Sequence, residues 1–133
     1  MRLIRPSSSD ADKSLLAWWQ AKEYLLAGLA RLVHVPHVEA LRARLSLRLA
    51  RLSQDPAPLT TVVAELEGSS SGATVRLLRA DVLAEIAIIS NSVPRWNSAK
   101  AAYKSLAVPS SRLHYAIAEC RFMYCTSLTH WIN

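Results

Sequence analysis

The sequence contains very little glycine, and this scarcity limits the kinds of site that the chain can build. Only three glycines occur among 133 residues. Loops that cradle phosphate groups need several glycines at fixed spacing, so most nucleotide-binding motifs of this type are excluded. Leucine and alanine are abundant instead, and hydrophobic residues make up 51% of the chain. This composition favours a helical protein with a real core over a sandwich of sheets.

Cysteine and long apolar segments are scarce as well. The two cysteines, Cys120 and Cys125, lie five residues apart on one predicted helix, where their side chains diverge by about 140° and are badly placed for a disulfide. Reduced thiols are typical of a cytoplasmic protein. Residues 1–13 lack the apolar core of a signal peptide, and no segment reaches about 18 uninterrupted apolar residues. The sequence therefore predicts a cytoplasmic protein without a membrane span.

Positive charge exceeds negative charge along the chain. Sixteen lysines and arginines and ten acidic residues give a formal net charge of +6. A basic chain suits nucleic acid, an anionic membrane surface or an acidic protein partner. Arg44, Arg48 and Arg51 cluster beside a stripe of leucines on the second predicted helix. They form either a basic face for phosphates or a set of side chains that lie along the leucine core and pair with carboxylates.

Apolar residues recur at a spacing of three and four in every hydrophobic segment, and this periodicity is helical throughout. Prolines, glycines and serines interrupt it between the segments. The sequence therefore predicts an all-α fold, a single compact bundle of five or six helices in one domain over 1–133. Residues 1–8 are expected to form a loose arm and residues 68–72 a flexible loop. The helices are expected at about 9–35, 37–53, 59–66, 73–91, 99–106 and 110–130.

The first, fourth and last predicted helices carry more apolar surface than one small bundle can bury on a single face. The first and fourth are each expected either at the centre of the bundle or at an interface. In the last helix, a stripe at helical spacing is expected to pack into the bundle or into a dimer. It consists of Leu113, Ile117, Cys120, Tyr124, Leu128 and Trp131. The thiol of Cys120 would then be buried. Because large exposed apolar patches mark interfaces, the chain is expected to form a homo-oligomer.

The segment 99–118, AKAAYKSLAVPSSRLHYAIA, predicts two helices joined by a tight corner. Ala107-Val108-Pro109 interrupts the first helix, because proline cannot continue a helix and disfavours the helical conformation of the residue before it. Ser110 and Ser111 are good N-cap residues for the second helix. Two helices with a corner of three or four residues have the shape of a helix-turn-helix.

The same segment resembles the turn region of phage Cro-type repressors. The resemblance is carried by Lys104-Ser105-Leu106-Ala107-Val108, Ser110-Ser111, Leu113, Ala116 and Ile117. Two positions differ from the family. Tyr103 stands where the family usually has a small residue, and Ala107 stands where it usually has a glycine with positive φ.

The resemblance implies a DNA-binding regulator, a homodimer whose second corner helix enters the major groove of duplex DNA. Five apolar residues would pack the two helices together: Ala102, Leu106, Val108, Leu113 and Ile117. Side chains at the start of the second helix would face outward toward base edges: Ser110, Ser111, Arg112, His114 and Tyr115. Three cations would lie near phosphates: Arg95, Lys100 and Lys104.

The alternative hypothesis is a non-enzymatic helical interaction module, such as an inhibitor, an adaptor or an immunity-type protein, that binds a protein partner through an apolar helix face.

No cofactor or metal site is expected, because His34 and His37 flank a proline with no further ligand nearby. Asp81 and Glu85 lie four residues apart on the fourth helix. Such carboxylates can do acid–base chemistry, but a solvated face with Arg79 nearby explains them equally well, and no enzymatic activity is expected.

Overall fold

Six helices account for nearly all of the chain that the structure describes. The computed structural model describes residues 8–33, 35, 37–68 and 72–132, and no strand occurs within them. In chain order the helices are α1 (Ser8–Leu32), α2 (Glu39–Ser53), α3 (Ala57–Gly68), α4 (Ala73–Ser90), α5 (Val93–Lys104) and α6 (Pro109–Ile132). The predicted all-α bundle of five or six helices is confirmed. Most of the predicted arm at 1–8 and loop at 68–72 lies outside the described residues, which exclude 1–7 and 69–71.

A two-residue link joins α4 to α5, and local capping fixes it. Asn91 takes the left-handed conformation with a φ of 50°, which ends α4. Ser92 then caps α5, because its Oγ accepts from the Arg95 N–H at 3.4 Å. Pro94 lies in the first turn, where a helix tolerates the missing donor. The segment that the sequence predicts only as a break therefore starts a helix, and α5 begins at Val93 instead of about residue 99.

α4 lies at the centre of the bundle because it contributes to both hydrophobic cores. One core joins α4 to α5 and α6, and its aromatic members are Trp96, Tyr103 and Phe122. The other core joins α4 to α2 and α3, and it includes Leu47, Leu59, Val62, Leu66 and Val82. Buried alanines on α4 allow the neighbouring helices to approach closely, and the aromatic rings fill the first core. The central burial predicted for the fourth helix as one of two alternatives is confirmed.

α1 lies at the edge of the bundle and packs on α2 alone among the described helices. Its Trp18 Nε1 donates to the Leu52 carbonyl at 3.0 Å, and Lys22 lies 5.2 Å from the centre of the Trp18 ring. The two helices are close at Gly28, where a methyl group would already contact Leu45 Cδ1 at 3.5 Å. Of the two positions that the sequence allows for the first helix, central or at an interface, the central one is wrong.

We expect Phe122 to be one of the most sensitive positions for stability. Its side chain is 4% exposed and stacks on Trp96, with 5.0 Å between the ring centroids. Phe122→Ala should lower the free energy of unfolding by about 3–5 kcal/mol, through lost burial and the cavity left behind. Urea denaturation at low protein concentration measures this loss.

The matched control for this experiment is Met123→Ala. Met123 is the next residue along α6 and is 59% exposed. Its replacement should change the free energy of unfolding by no more than about 0.5 kcal/mol. Equal losses for the two variants would contradict the burial of Phe122 in the core.

Candidate functional site

A buried carboxylate on α4 joins three helices. Glu85 is 1% exposed, and Arg121 of α6 donates to it twice, from Nη1 to Oε2 at 2.6 Å and from Nη2 to Oε1 at 2.9 Å. Arg51 of α2 adds a third contact, with its Nε 3.2 Å from Oε2. A two-point contact between a guanidinium and a carboxylate fixes orientation as well as distance. Glu85 therefore holds α2 and α6 in position against α4.

A second carboxylate lies one helical turn away on α4. Asp81 accepts a hydrogen bond from the buried Tyr103 hydroxyl of α5 on one oxygen, and its other oxygen is 2.9 Å from His114 Nδ1 of α6. Asp81 thus links α5 and α6 to α4. We call the whole set the polar cluster: Arg51, Asp81, Glu85, Tyr103, His114 and Arg121.

The surroundings of the polar cluster shift the pKa values of Glu85, Tyr103 and Arg121, and the hydrogen bond to Glu85 raises the pKa of the Arg121 guanidinium. Burial alone would raise the pKa of Glu85, but the hydrogen bonds and charges of Arg121 and Arg51 outweigh burial and hold this pKa below its usual value. The Glu85 carboxyl is therefore ionised at neutral pH. Burial, together with the hydrogen bond to Asp81, raises the pKa of the Tyr103 hydroxyl well above its usual value. Tyr103 therefore remains a donor to Asp81 throughout the physiological range.

A cleft of about 340 Å³ opens over the polar cluster between α2, α4 and α6. A histidine held by a carboxylate, as His114 is by Asp81, can act as a general base. In this structure the contacts of the polar cluster join α2, α5 and α6 to α4, so the cluster fixes these helices relative to one another. The interpretation that Asp81 and Glu85 lie on a solvent-exposed face of α4 is wrong, because both side chains contact residues of neighbouring helices.

The arginines of α2 divide between paired and exposed positions. Arg51 contacts Glu85, and Arg42 Nε lies 3.5 Å from Glu65 Oε2 of α3. Arg44 and Arg48 are exposed. The interpretation of these arginines as side chains that pair with carboxylates beside a leucine core is confirmed for Arg42 and Arg51.

The corner between α5 and α6 packs differently from the predicted helix-turn-helix. Three of the five residues predicted to pack there are at least half-buried: Ala102, Leu106 and Val108. The other two, Leu113 and Ile117, are 63% and 54% exposed, so their predicted packing is wrong. Ala107 is not among the described residues with positive φ, so the corner lacks the left-handed residue that is usual in the Cro-type family.

Three of the predicted site residues at the start of α6 turn inward. Ser111 is 4% exposed and its Oγ donates to the Val108 carbonyl at 2.7 Å, so its predicted outward orientation is wrong. His114 is held by the polar cluster. The Tyr115 ring stacks on Trp96 with 6.0 Å between centroids, and a hydrogen bond to a neighbouring glutamate raises the pKa of its hydroxyl. The Tyr115 ring therefore does not face outward as predicted. The His114 side chain is 42% exposed but contacts Asp81, so its predicted outward orientation is only partly right.

The remaining predicted site residues lie at or near the surface, but not on one patch. Lys104, Ser110 and Arg112 are exposed, and Lys104 and Arg112 line the same groove of about 550 Å³ at the corner. Arg95 is exposed on a different groove, between α3, α4 and α5. Lys100 is half-buried. The structure thus brings together only Lys104 and Arg112 among the four predicted cations.

The outward side of α6 carries the stripe that the sequence predicts to pack into the bundle or into a dimer. Four members of the stripe and the neighbouring Met123 are between 43% and 66% exposed: Leu113, Ile117, Tyr124, Leu128 and Met123. The side chain of Trp131, the last member of the stripe, is not described. Cys120 is exposed within the stripe, so the burial predicted for its thiol is wrong.

Beside this stripe, Arg121 and His114 reach carboxylates of α4, and Leu113 and Ile117 line the same cleft as these pairs. Farther round the helix, Ala118 and Phe122 pack in the core. These contacts set the rotation of α6 and leave the larger apolar stripe outside.

The sequence contains one signal for the polar cluster that the apolar periodicity hides. His114 and Arg121 are seven residues apart, which places them on the same side of a helix two turns apart. Asp81 and Glu85, one turn apart on α4, offer two carboxylates on one side. Two carboxylates on one side of α4 and two basic side chains on one side of α6 are compatible with pairing between the two helices. No comparable signal identifies Tyr103.

Neither a metal cluster nor a membrane helix is found in the described part of the chain. Within residues 8–33, 35, 37–68 and 72–132, no three histidine, cysteine, aspartate or glutamate residues could hold a metal ion together. His34, one of the histidines considered as a ligand, lies outside these residues. None of the described helices is long and apolar enough to cross a bilayer.

We expect Glu85→Gln to destabilise the protein and to change the pH dependence of its stability. The loss should be roughly 1.5–3 kcal/mol, the range for hydrogen bonds to charged groups, since Arg51 and Arg121 keep contact with water. In the wild type, the unfolded carboxyl with its usual pKa of 4.5 takes up a proton at higher pH than the folded one. The stability that Glu85 contributes is therefore complete above about pH 4.5 and is lost as pH falls through the lower folded pKa.

Urea denaturation between pH 7 and pH 3 measures both effects. Glu85→Gln should lose the component that falls away below about pH 4.5. Glu67→Gln is the matched control, because Glu67 also pairs with an arginine, Arg79 at 2.6 Å, but its side chain is 55% exposed. A Glu67 variant as unstable as the Glu85 variant would contradict the role of burial in this pair.

Comparisons with protein-family models, with curated proteins and with solved structures return no match for this chain. No relative therefore suggests a function for the corner, the polar cluster or the apolar side of α6. The function is therefore inferred from the contacts, exposed surfaces and charges of these three features.

Proposed function

We propose that the protein is a non-enzymatic helical interaction module that associates with a second copy of itself through the exposed apolar sides of α1 and α6. One observation carries this proposal. Among the described residues, fourteen large hydrophobic side chains are exposed, and ten of them belong to α1 or α6. Monomeric proteins rarely leave large contiguous apolar patches in water, and such patches mark interaction sites.

α1 contributes a stripe on the side away from α2. Leu16, Trp19 and Leu26 are 58%, 54% and 42% exposed, and their spacing of three and seven keeps them on one side of the helix. α1 packs on α2 alone, so no other described helix covers this stripe. Burying the exposed half of such a side chain contributes roughly 1 kcal/mol, half of the value for complete burial. Several of them together can drive association.

A second copy is the partner that the surface chemistry favours. Two copies of a chain with a net charge of +6 repel each other unless they meet where charge is sparse. The exposed residues of α6 from Leu113 to Leu128 are uncharged, and charge approaches this side at the cleft where Arg44 and Arg51 of α2 lie beside Leu113 and Ile117. Two-fold dimers, in which the same patch serves both subunits, are the commonest assemblies of soluble proteins.

Duplex DNA is the second candidate partner, and the charges at the corner favour it. Lys104 and Arg112 are exposed on one groove next to the first turn of α6, where cations and the positive helix end suit phosphate. The exposed Leu113 and Ile117 weigh against α6 as a groove-reading helix, since both would lie against polar base edges or phosphates.

Sedimentation equilibrium tests the proposed self-association. Between about 1 and 100 μM protein, the average mass should rise from 14.7 kDa toward twice that value. Leu41→Glu is the control, because Leu41 is 46% exposed but lies on α2, and this variant should behave as the wild type does. A mass of 14.7 kDa at every concentration would contradict the proposal.

An electrophoretic shift against random duplex fragments tests the DNA hypothesis. If it is correct, Lys104→Ala should weaken binding to all sequences alike, while Arg112→Ala should relax sequence preference, since one bidentate arginine–guanine contact gives roughly 1–3 kcal/mol of discrimination. Non-specific binders have dissociation constants of roughly 1–100 μM. No shift at micromolar protein and about 0.1 M salt would remove this candidate.

A further inference from the structure

We infer that two copies pair through the outward side of α6, with the two α6 helices antiparallel and a two-fold axis next to Cys120. The inference rests on the proposed self-association and names the surface that carries it. We call this surface the α6 face, and it consists of Leu113, Ile117, Cys120, Met123, Tyr124 and Leu128.

Cys120 lies on the centre line of the α6 face. Nine residues of α-helix separate it from the buried Ser111, which turns the chain by about 180° between the two. Two charged residues other than histidine occur between the ends of the face, Glu119 and Arg121, and both are half-buried at its flanks. The centre of the face is therefore apolar and uncharged over about 22 Å of helix.

Four of the five large side chains of the α6 face are spaced symmetrically about its centre, and Met123 is the exception. Leu113 lies four residues before Ile117, and Leu128 lies four residues after Tyr124. In an antiparallel pair, Leu113 therefore meets Leu128 of the partner subunit, and Ile117 meets the partner's Tyr124. This self-complementarity is what an isologous two-fold interface requires.

Charge favours the antiparallel arrangement over the parallel one. Arg112 is exposed at one end of the α6 face. A parallel pair would place the two Arg112 side chains side by side, whereas an antiparallel pair keeps them at opposite ends, about 24 Å apart. Antiparallel helices also place opposite ends of the helix dipole next to each other.

The centre of the face allows the two helices to approach closely. Packed helices lie about 8–10 Å apart between their axes, and each Cα lies about 2.3 Å from its axis. The two Cys120 Cα atoms would then be about 3.4–5.4 Å apart, which overlaps the separation of about 4.4–6.8 Å that a disulfide needs. Cys120 is therefore a reporter for the pairing.

The area of the α6 face is sufficient for a reversible dimer. Its five large side chains are 43% to 66% exposed, which amounts to roughly 550 Å² per copy if each carries on the order of 200 Å² when fully exposed. Standard interfaces bury about 800 Å² on each partner, and transient ones bury less. We therefore expect a dimer that dissociates on dilution.

The first experiment uses disulfide formation between two copies. In Cys125→Ser, Cys120 is the remaining thiol, and dioxygen with copper–phenanthroline joins two such thiols into one disulfide while taking up two electrons and two protons. Most of the protein should run as a dimer on a non-reducing gel, and Cys120→Ser should not. A chain that stays monomeric with Cys120 present would overturn the inference.

The second experiment tests the antiparallel orientation. Leu113→Cys and Leu128→Cys are prepared separately without the two natural cysteines, one of them with a purification tag, and are then mixed and oxidised. An antiparallel pair should give mainly the mixed disulfide between the two variants. Disulfides only between identical variants would indicate a parallel pair and overturn the inference.

The third experiment separates this inference from the proposed function. Ile117→Glu on the α6 face should raise the dimer dissociation constant at least tenfold, and Leu41→Glu on α2 is the matched control, because these side chains are 54% and 46% exposed. Tyr124→Glu provides a second α6 variant if Ile117→Glu does not fold. Loss of the dimer with Leu16→Glu alone would overturn the inference but not the proposed self-association. A wild-type chain that remains monomeric would overturn both.

Discussion

The contact between Glu85 and its two arginines determines how α6 is rotated. A carboxylate that is 1% exposed cannot do without its partners, since breaking a buried ion pair costs several kcal/mol. Arg121 must therefore reach toward α4, and this rotation places Ala118 and Phe122, on the neighbouring side of α6, in the core. Leu113 and Ile117 are left exposed beside the polar cluster, where they line the same cleft. The polar interior thus decides which apolar side chains remain outside.

The helical architecture could be predicted from the sequence because it depends on local signals. Apolar spacing, prolines and serines locate all six helices, and the α4 pattern indicates a helix buried on more than one side. Errors occurred where one residue has two roles. Ser92 and Pro94 interrupt α4 but also start α5. The sequence pattern therefore predicts the end of α4 correctly, but it predicts the start of α5 several residues too late.

The rotation of α6 could not be predicted, because two stripes on that helix compete for the core. Hydrophobicity alone selects the stripe of Leu113 and Ile117, which is exposed. The stripe that is buried contains Ser111, Ala118 and Phe122. The adjacent His114 and Arg121, whose side chains are 42% and 38% exposed, join α6 to carboxylates of another helix. A resemblance based on about twenty residues carries the same error, since it assigns the apolar residues to the interior. Long-range ion pairs therefore limit what local patterns can predict.

The exposed apolar row on α6 is best explained by a second copy that covers it. A dilution series of ¹H–¹⁵N correlation spectra tests this most directly, because it needs no substitution and observes every helix at once. We expect the backbone amide signals around Ile117, Cys120 and Tyr124 to shift between millimolar and low micromolar protein, while the signals of α3 and α4 stay constant. Signals of α6 that do not change with concentration, or shifts confined to α1, would contradict this explanation.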